Sequence, residues 1–164
     1  MKPSNSEPTT ASTAPRVQIR QALRADIDEL LCIEQAATSH PWTLALFQSC
    51  FGERYFNFLL QQNGVTQGFY IGEFVAGEAS LFDICVAPHA QGQGFGRLLL
   101  EHFIAQAEHR EAFDCWLEVR ESNLAAIRLY QQAGFHQTGK RPNYYPTACG
   151  HEDAILMGLP LRMG

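Results

Sequence analysis

The sequence predicts one α/β domain, a mixed, mostly antiparallel sheet flanked by helices. Three observations carry this expectation. Phe56 to Gln62, Gly68 to Val75 and Glu78 to Val86 are rich in aromatic and β-branched residues, and the breaks at Asn63-Gly64 and Ala76-Gly77 suit tight turns, which makes an antiparallel meander. After Val86 the pattern alternates between helix and strand. The 164 residues fall within the size of one domain and are too few for two well-buried ones.

The elements follow in order. Val17 and Ile19 alternate with Arg16, Gln18 and Arg20 as in a half-buried strand. A helix comes next, with Asp26 as its cap, Glu29 three residues on as in a capping box, and Ile27, Leu30, Leu31 and Glu34 at helical spacing; His40-Pro41 ends it. Trp42, Leu46, Phe47, Cys50 and Phe51 recur about once per turn, predicting a short helix over Trp42 to Phe51 closed by Gly52. Beyond the meander come a glycine-rich turn at Gln91 to Gly96, an amphipathic helix to about Arg110, a strand at Phe113 to Val119 and a helix from about Asn123 to Ala133. Two more strands, Phe135 to Gly139 and Glu152 to Leu159, are expected with a long Tyr/Pro/Gly-containing loop between them.

Composition excludes several classes. With 46% apolar and 18% charged residues the chain can bury a core. Nine of the first fifteen residues are Ser, Thr or Pro, so residues 1–15 are expected to form a flexible leader outside a domain spanning 16–164. A net charge of −5 argues against direct nucleic-acid or membrane binding and suits a basic partner. No apolar run is long enough for a membrane span and no secretory signal is seen, so a cytoplasmic location is expected. Cys32, Cys50, Cys85, Cys115 and Cys149 lie far apart without a C-x-x-C pair, which reads as free thiols. His102 and His109 share a helix face without a third ligand, and no H-E-x-x-H or G-x-S-x-G occurs, so neither a metal site nor a serine nucleophile is expected.

The glycine-rich turn is the sharpest feature. Gln91-Gly92-Gln93-Gly94-Phe95-Gly96-Arg97 stands between a strand and a helix carrying Leu98, Leu99, Phe103 and Ile104. Glycine permits close backbone approach, and a helix N-terminus offers unpaired N–H groups to a phosphate, so a diphosphate is the natural guest. Arg97 stands where a dinucleotide fingerprint needs glycine or alanine, and the Gly-Lys-Ser/Thr ending of a P-loop is missing. Read alone, the turn could equally serve tight helix–strand packing.

Gln91-x-x-Gly94-x-Gly96 after Asp83-Ile84-Cys85-Val86-Ala87-Pro88 resembles the acetyl-CoA motif of the GNAT family of N-acetyltransferases, and Asn123-x-x-Ala126-x-x-x-Tyr130-x-x-x-Gly134-Phe135 resembles its second motif. The similarity extends from Arg16 to Leu161. It is greatest to the RimI-type members, which acetylate the N-terminal alanine of small-subunit ribosomal protein number eighteen. His40-Pro41-Trp42, Gly52-Glu53-Arg54-Tyr55, Trp116-Leu117-Glu118-Val119-Arg120, Asn143-Tyr144-Tyr145-Pro146 and Gly150-His151-Glu152-Asp153-Ala154 carry it. One departure is Gly92, where relatives often carry Arg; here backbone amides and Arg97 are left to hold the diphosphate.

The resemblance implies direct transfer from acetyl-CoA, with no metal. It implies Glu118 as proton acceptor, Tyr130 as proton donor to the CoA sulfur, and Asn123 against the pantetheine or diphosphate. Amides of Ile84, Cys85 and Val86, freed by a bulge, would hold the thioester oxygen. Tyr144 and Tyr145 would cover the acceptor peptide; Glu34, Trp42 and Glu152 are candidates for further walls, Glu152-Asp153 reading equally as solvated charges at a strand start. From the residues alone, Glu118 has a second reading as a surface carboxylate on an alternating strand, and Tyr130 reads first as a core aromatic. Two competing functions share these features: a small-amine acetyltransferase for a polyamine or aminoglycoside, and a non-catalytic CoA-binding, ribosome-associated module.

Overall fold

The computed structural model describes residues 14–161. Residues 1–13 of the expected leader lie outside the described residues. One seven-stranded sheet forms from β1 (Val17–Gln21), β2 (Tyr55–Gln62), β3 (Val65–Val75), β4 (Glu78–Val86), β5 (Asp114–Arg120), β6 (His136–Thr147) and β7 (Gly150–Pro160). Its order is β1-β2-β3-β4-β5-β7-β6. Every neighbouring pair is antiparallel except β4 and β5, as the mixed, mostly antiparallel expectation requires. The helices are α1 (Ile27–Ala37), α2 (Leu44–Ser49), α3 (Phe95–His109) and α4 (Leu124–Gln132).

Local chemistry explains the boundaries. Asn63 and Gly64 have φ of 53° and 80°, and Ala76 and Gly77 have 51° and 84°, so both hairpins turn through two left-handed residues whose twist matches that of the strands. Asp26 does not cap α1. A short 3-10 turn at Arg24–Asp26 precedes the helix, and the Asp26 carboxylate instead accepts from the Arg20 guanidinium at 3.0 and 2.9 Å and from the Leu23 amide at 2.7 Å. A charge-assisted two-pronged contact outweighs one helix-end amide. Thr43 caps α2, accepting from the Leu46 amide at 3.2 Å.

The loop expected between the last two strands is strand for most of its length. β6 and β7 form one long hairpin turning at Ala148-Cys149, with register slips at Gln137/Gly139 and Arg141/Tyr145. Pro142 and Pro146 suggested a loop because proline cannot donate to a ladder, but β6 is an edge strand and tolerates the loss.

Helices α1 and α2 cover one face of the sheet, where Phe47 meets Phe69 at 5.7 Å between ring centroids. Helix α3 covers the other, where Phe103 stacks on Phe56 at 5.4 Å and meets Tyr70 edge-on at 5.6 Å. The Tyr70 hydroxyl is 2.8 Å from His102 Nδ1, so this histidine is a packing partner. Among the described residues no cluster of His, Cys, Asp and Glu could hold a metal ion, and no helix is long and apolar enough to cross a membrane.

Two irregularities in β4 shape the centre of the sheet. Ile71 pairs with Asp83 but Gly72 pairs with Leu81, so Phe82 is an extra, bulged residue. The bulge rephases the strand, turning Asp83 onto the α1 face with Cys85 and leaving Leu81 on the α3 face. Pairing of β4 with β5 then stops at Leu81–Leu117, and beyond that point the two strands part.

Candidate active site

The parting of β4 and β5 opens a cleft of about 840 Å³ between the glycine turn, α4 and the end of α1. The gap-facing amides follow from the register. Ala87 donates to the Gln67 carbonyl at 2.7 Å, so every second residue, Cys85 and Asp83, also turns its N–H toward β3. Ile84 and Val86 therefore direct their N–H groups toward the missing β5 neighbour; the Ile84 amide also approaches the Asp83 carboxyl. Of the three amides expected to hold a thioester oxygen, that of Cys85 is already committed to the sheet. The Cys85 side chain is buried, and burial pushes its thiol far above the usual range, as befits packing. In the same way burial raises Cys115 to about 12.

At the other end of the cleft, Gly92 and Gly94 take φ of 80° and 83°. A Cβ on either would meet no atom within 4 Å, so the space above both is open. The first intrahelical bond of α3 runs from Leu98 N to the Gly94 carbonyl, which leaves the amides of Phe95, Gly96 and Arg97 without helical acceptors at the positive end of the helix. Gln91 braces the turn by donating to the Val86 carbonyl at 3.1 Å, and Phe95 is buried beneath it. Gln93 is exposed and does not line the cleft. The Arg97 side chain pairs along the helix with Glu101 at 2.9 Å, well out in solvent, so the amides are the main anion site here.

Across the cleft, Asn123 caps α4, accepting from the Ala126 amide at 3.2 Å. Tyr130, two turns on, packs on Phe135 and is only 6% exposed, yet it lines the cleft, so it is both core aromatic and cleft residue. Burial, then the charge of Asp83, raises its hydroxyl and keeps it protonated. Glu118 projects from β5 on the same face as Asp83, its side chain 31% exposed. Sequence reasoning missed its partner: the Arg141 guanidinium lies 3.2 Å from Glu118 Oε1. The Tyr144 hydroxyl is raised first by the Glu118 charge beside it.

A second cleft of about 790 Å³ continues from Glu118 along the α1 face, between Trp42 and the paired rings of Tyr144 and Tyr145. These rings meet edge-on at 4.9 Å, and Arg120 lies over the Tyr145 ring at 4.5 Å. Burial pushes the Tyr145 hydroxyl up to about 12. The Trp42 amide donates to Glu34 Oε1 at 3.3 Å. Glu152 is not part of the wall: it accepts from Arg120 at 3.0 Å and from the Ser122 amide at 3.2 Å, fixing the corner that leads to Asn123.

A gap in a parallel strand pair, bounded by a helix N-terminus with open amides and a buried tyrosine, matches the acetyltransferase (GNAT) family, to which the chain belongs; the family model covers residues 22–135. The chain is thus an acetyltransferase of the family that uses acetyl-CoA. It is 51% identical over 138 residues to the [ribosomal protein bS18]-alanine N-acetyltransferase of Escherichia coli strain K12, covering 84% of this chain and 93% of that one. The enzyme of the same name from Haemophilus influenzae is 42% identical over 140 residues, covering 85% of this chain and 95% of that one. Among solved structures, the ribosomal-protein-S18-alanine N-acetyltransferase of Escherichia coli superposes with a TM-score of 0.88 at 48% identity, covering 91% of this chain and 96% of that one.

Proposed function

We propose that this chain acetylates the N-terminal alanine of ribosomal protein bS18, moving the acetyl group of acetyl-CoA directly onto the α-amine, and that it does so in the cytoplasm. The observation that carries this reading is 51% identity, over 84% of the chain, to an enzyme named for that reaction.

The residues present fit the donor. Open amides at the start of α3 suit a diphosphate, and the bare backbone at Gly92 and Gly94 lets it come close. When bound, acetyl-CoA supplies a thioester. The amides of Val86 and Ile84 donate to its carbonyl oxygen, where negative charge grows as the amine attacks. Glu118 accepts a proton from the amine, directly or through water. An α-amine has a pKa near 8, roughly two units below a lysine, so a carboxylate of modest basicity suffices. Tyr130 Oη gives its proton to the departing sulfur, and Asn123 holds the arm that leads to it. Trp42, Tyr144 and Tyr145 enclose the first residues of the peptide, amine end inward.

Labelled acetyl-CoA offered with an Ala-starting peptide, its N-terminally blocked counterpart with a free lysine, and spermidine tests the reading. The Ala peptide is acetylated fastest, since an α-amine is neutral more often than a lysine amine by about two to three decades at pH 7. Faster transfer to spermidine or to the blocked peptide replaces this reading with small-amine or lysine acetylation.

A further inference from the structure

The acceptor side of the cleft holds two buried carboxyl groups that none of the acetyl-transfer steps uses. Glu34 belongs to the buried stripe of α1 with Ile27 and Leu30, is only 3% exposed, and lines the cleft. Its Oε1 accepts from the Trp42 amide; its Oε2 is buried and receives no donor from the described residues. Asp83, turned onto this face by the bulge at Phe82, comes within hydrogen-bonding reach of Glu34, and its Oδ2 is likewise buried without a donor. Burial, and then the charge of Glu34, pushes Asp83 well above the usual carboxylate range. Asp83 is therefore held toward its neutral form, and Glu34 Oε2 is left in the same buried space without a donor.

Neither carboxyl is paired with a cation. None of the ion pairs among the described residues includes Glu34 or Asp83. Cys85 and Tyr130, which face the pair, stay protonated and neutral because burial raises both. The arginines that line the cleft, Arg97 and Arg120, are engaged by Glu101 and Glu152. His40 lines the cleft from the loop after α1 and lies with its Nδ1 3.1 Å from Ser39 Oγ. A buried carboxyl oxygen without a donor is costly to keep, and Glu34 lines the space where a substrate ammonium must arrive.

We propose that Glu34, positioned by Asp83, is the ammonium seat of the acceptor: its carboxylate binds the α-NH₃⁺ of the incoming N-terminus before Glu118 takes a proton from it. The seat rests on the N-terminal acetylation reading and adds a residue that selects a charged chain end over a neutral one of the same shape.

Two peptides of identical sequence test it, one beginning with alanine and the other with lactic acid, which puts a hydroxyl where the α-amine stood. Their binding is measured at pH 7 to the full chain in the presence of CoA. Wild type binds the amine peptide at least tenfold more tightly, the range expected for a charge-assisted hydrogen bond. Glu34→Gln keeps an oxygen for the Trp42 amide but loses the charge, and brings the two peptides within about threefold while the Kd for acetyl-CoA stays the same. Glu34→Ser, which leaves room for water, loses the same preference. A preference kept in either variant overturns the seat, as does equal weakening of both peptides, which is what a purely structural Glu34 would give. Equal binding of the two peptides by wild type overturns it without any variant. A wild-type protein that leaves the Ala peptide unacetylated fails the N-terminal reading; one that acetylates it while the variants keep their preference fails the seat alone.

Discussion

Arg141 stands 3.2 Å from Glu118 Oε1 and 5.3 Å from the centroid of the Tyr144 ring, so one cation on β6 ties the carboxylate of β5 to the hairpin over the acceptor cleft. The pair is half-exposed and worth little to the fold, about 1 kcal/mol or less. Its loss is felt by the hairpin. Arg141→Gln leaves the melting temperature within a few degrees and raises the peptide KM severalfold, with kcat and the acetyl-CoA Kd little changed. Steady-state kinetics against both substrates checks this, and an unchanged peptide KM would show that Arg141 does not hold the lid.

Glu118→Gln preserves shape and removes the ability to accept a proton. Turnover falls by roughly 10²–10⁴, with acetyl-CoA affinity retained, and recovers in part as pH rises and the amine arrives neutral. Full activity at neutral pH would transfer the role to another base.

Gly94→Asp puts a side chain and a negative charge into open space at the start of α3, at a φ of 83° that an L residue rarely adopts. Acetyl-CoA raises the melting temperature of wild type and NAD does not; the variant melts lower and loses the acetyl-CoA shift. A variant that keeps the shift would move the diphosphate site away from this turn.

Asp83 makes stability depend on pH. Its folded-state pKa lies above the unfolded value, so its contribution is fully present below about pH 4 and is lost as pH rises through the folded pKa. Asp83→Asn removes this dependence while leaving an amide donor for Glu34. The variant therefore gains in melting temperature relative to wild type on going from pH 4 to pH 8. Parallel stability curves would show that Asp83 titrates as an ordinary exposed carboxylate.

The local pieces of the site are legible in the sequence because each depends on a few adjacent residues. Asn63-Gly64 and Ala76-Gly77 announce their turns, and the glycines of 92–96 announce the open helix start. What stays hidden depends on register. The resemblance implies a bulge in this strand, but nothing within Ser80 to Asp83 places it at Phe82, so the meeting of Asp83 with Glu34 is invisible until β3 and β4 are aligned. A carboxylate in the apolar stripe of α1 is the one trace it leaves. Arg141 is hidden for a related reason: Pro142 and Pro146 make β6 read as a loop, and a loop residue has no defined neighbour across a sheet.

Those prolines also govern the outer rim of the molecule. β6 is the last strand on its side of the sheet, and such a rim normally invites an eighth strand from a peptide or from another copy of the chain. At Pro142 and Pro146 an incoming strand finds no N–H to receive, and the register slip between Arg141 and Tyr145 bends the ladder between them. A strand added along this rim forgoes two ladder bonds and meets a bent edge, which disfavours main-chain zippering there. Recognition on this side of the molecule is left to side chains such as those of Trp42 and Tyr144, which line a cleft rather than a ladder edge.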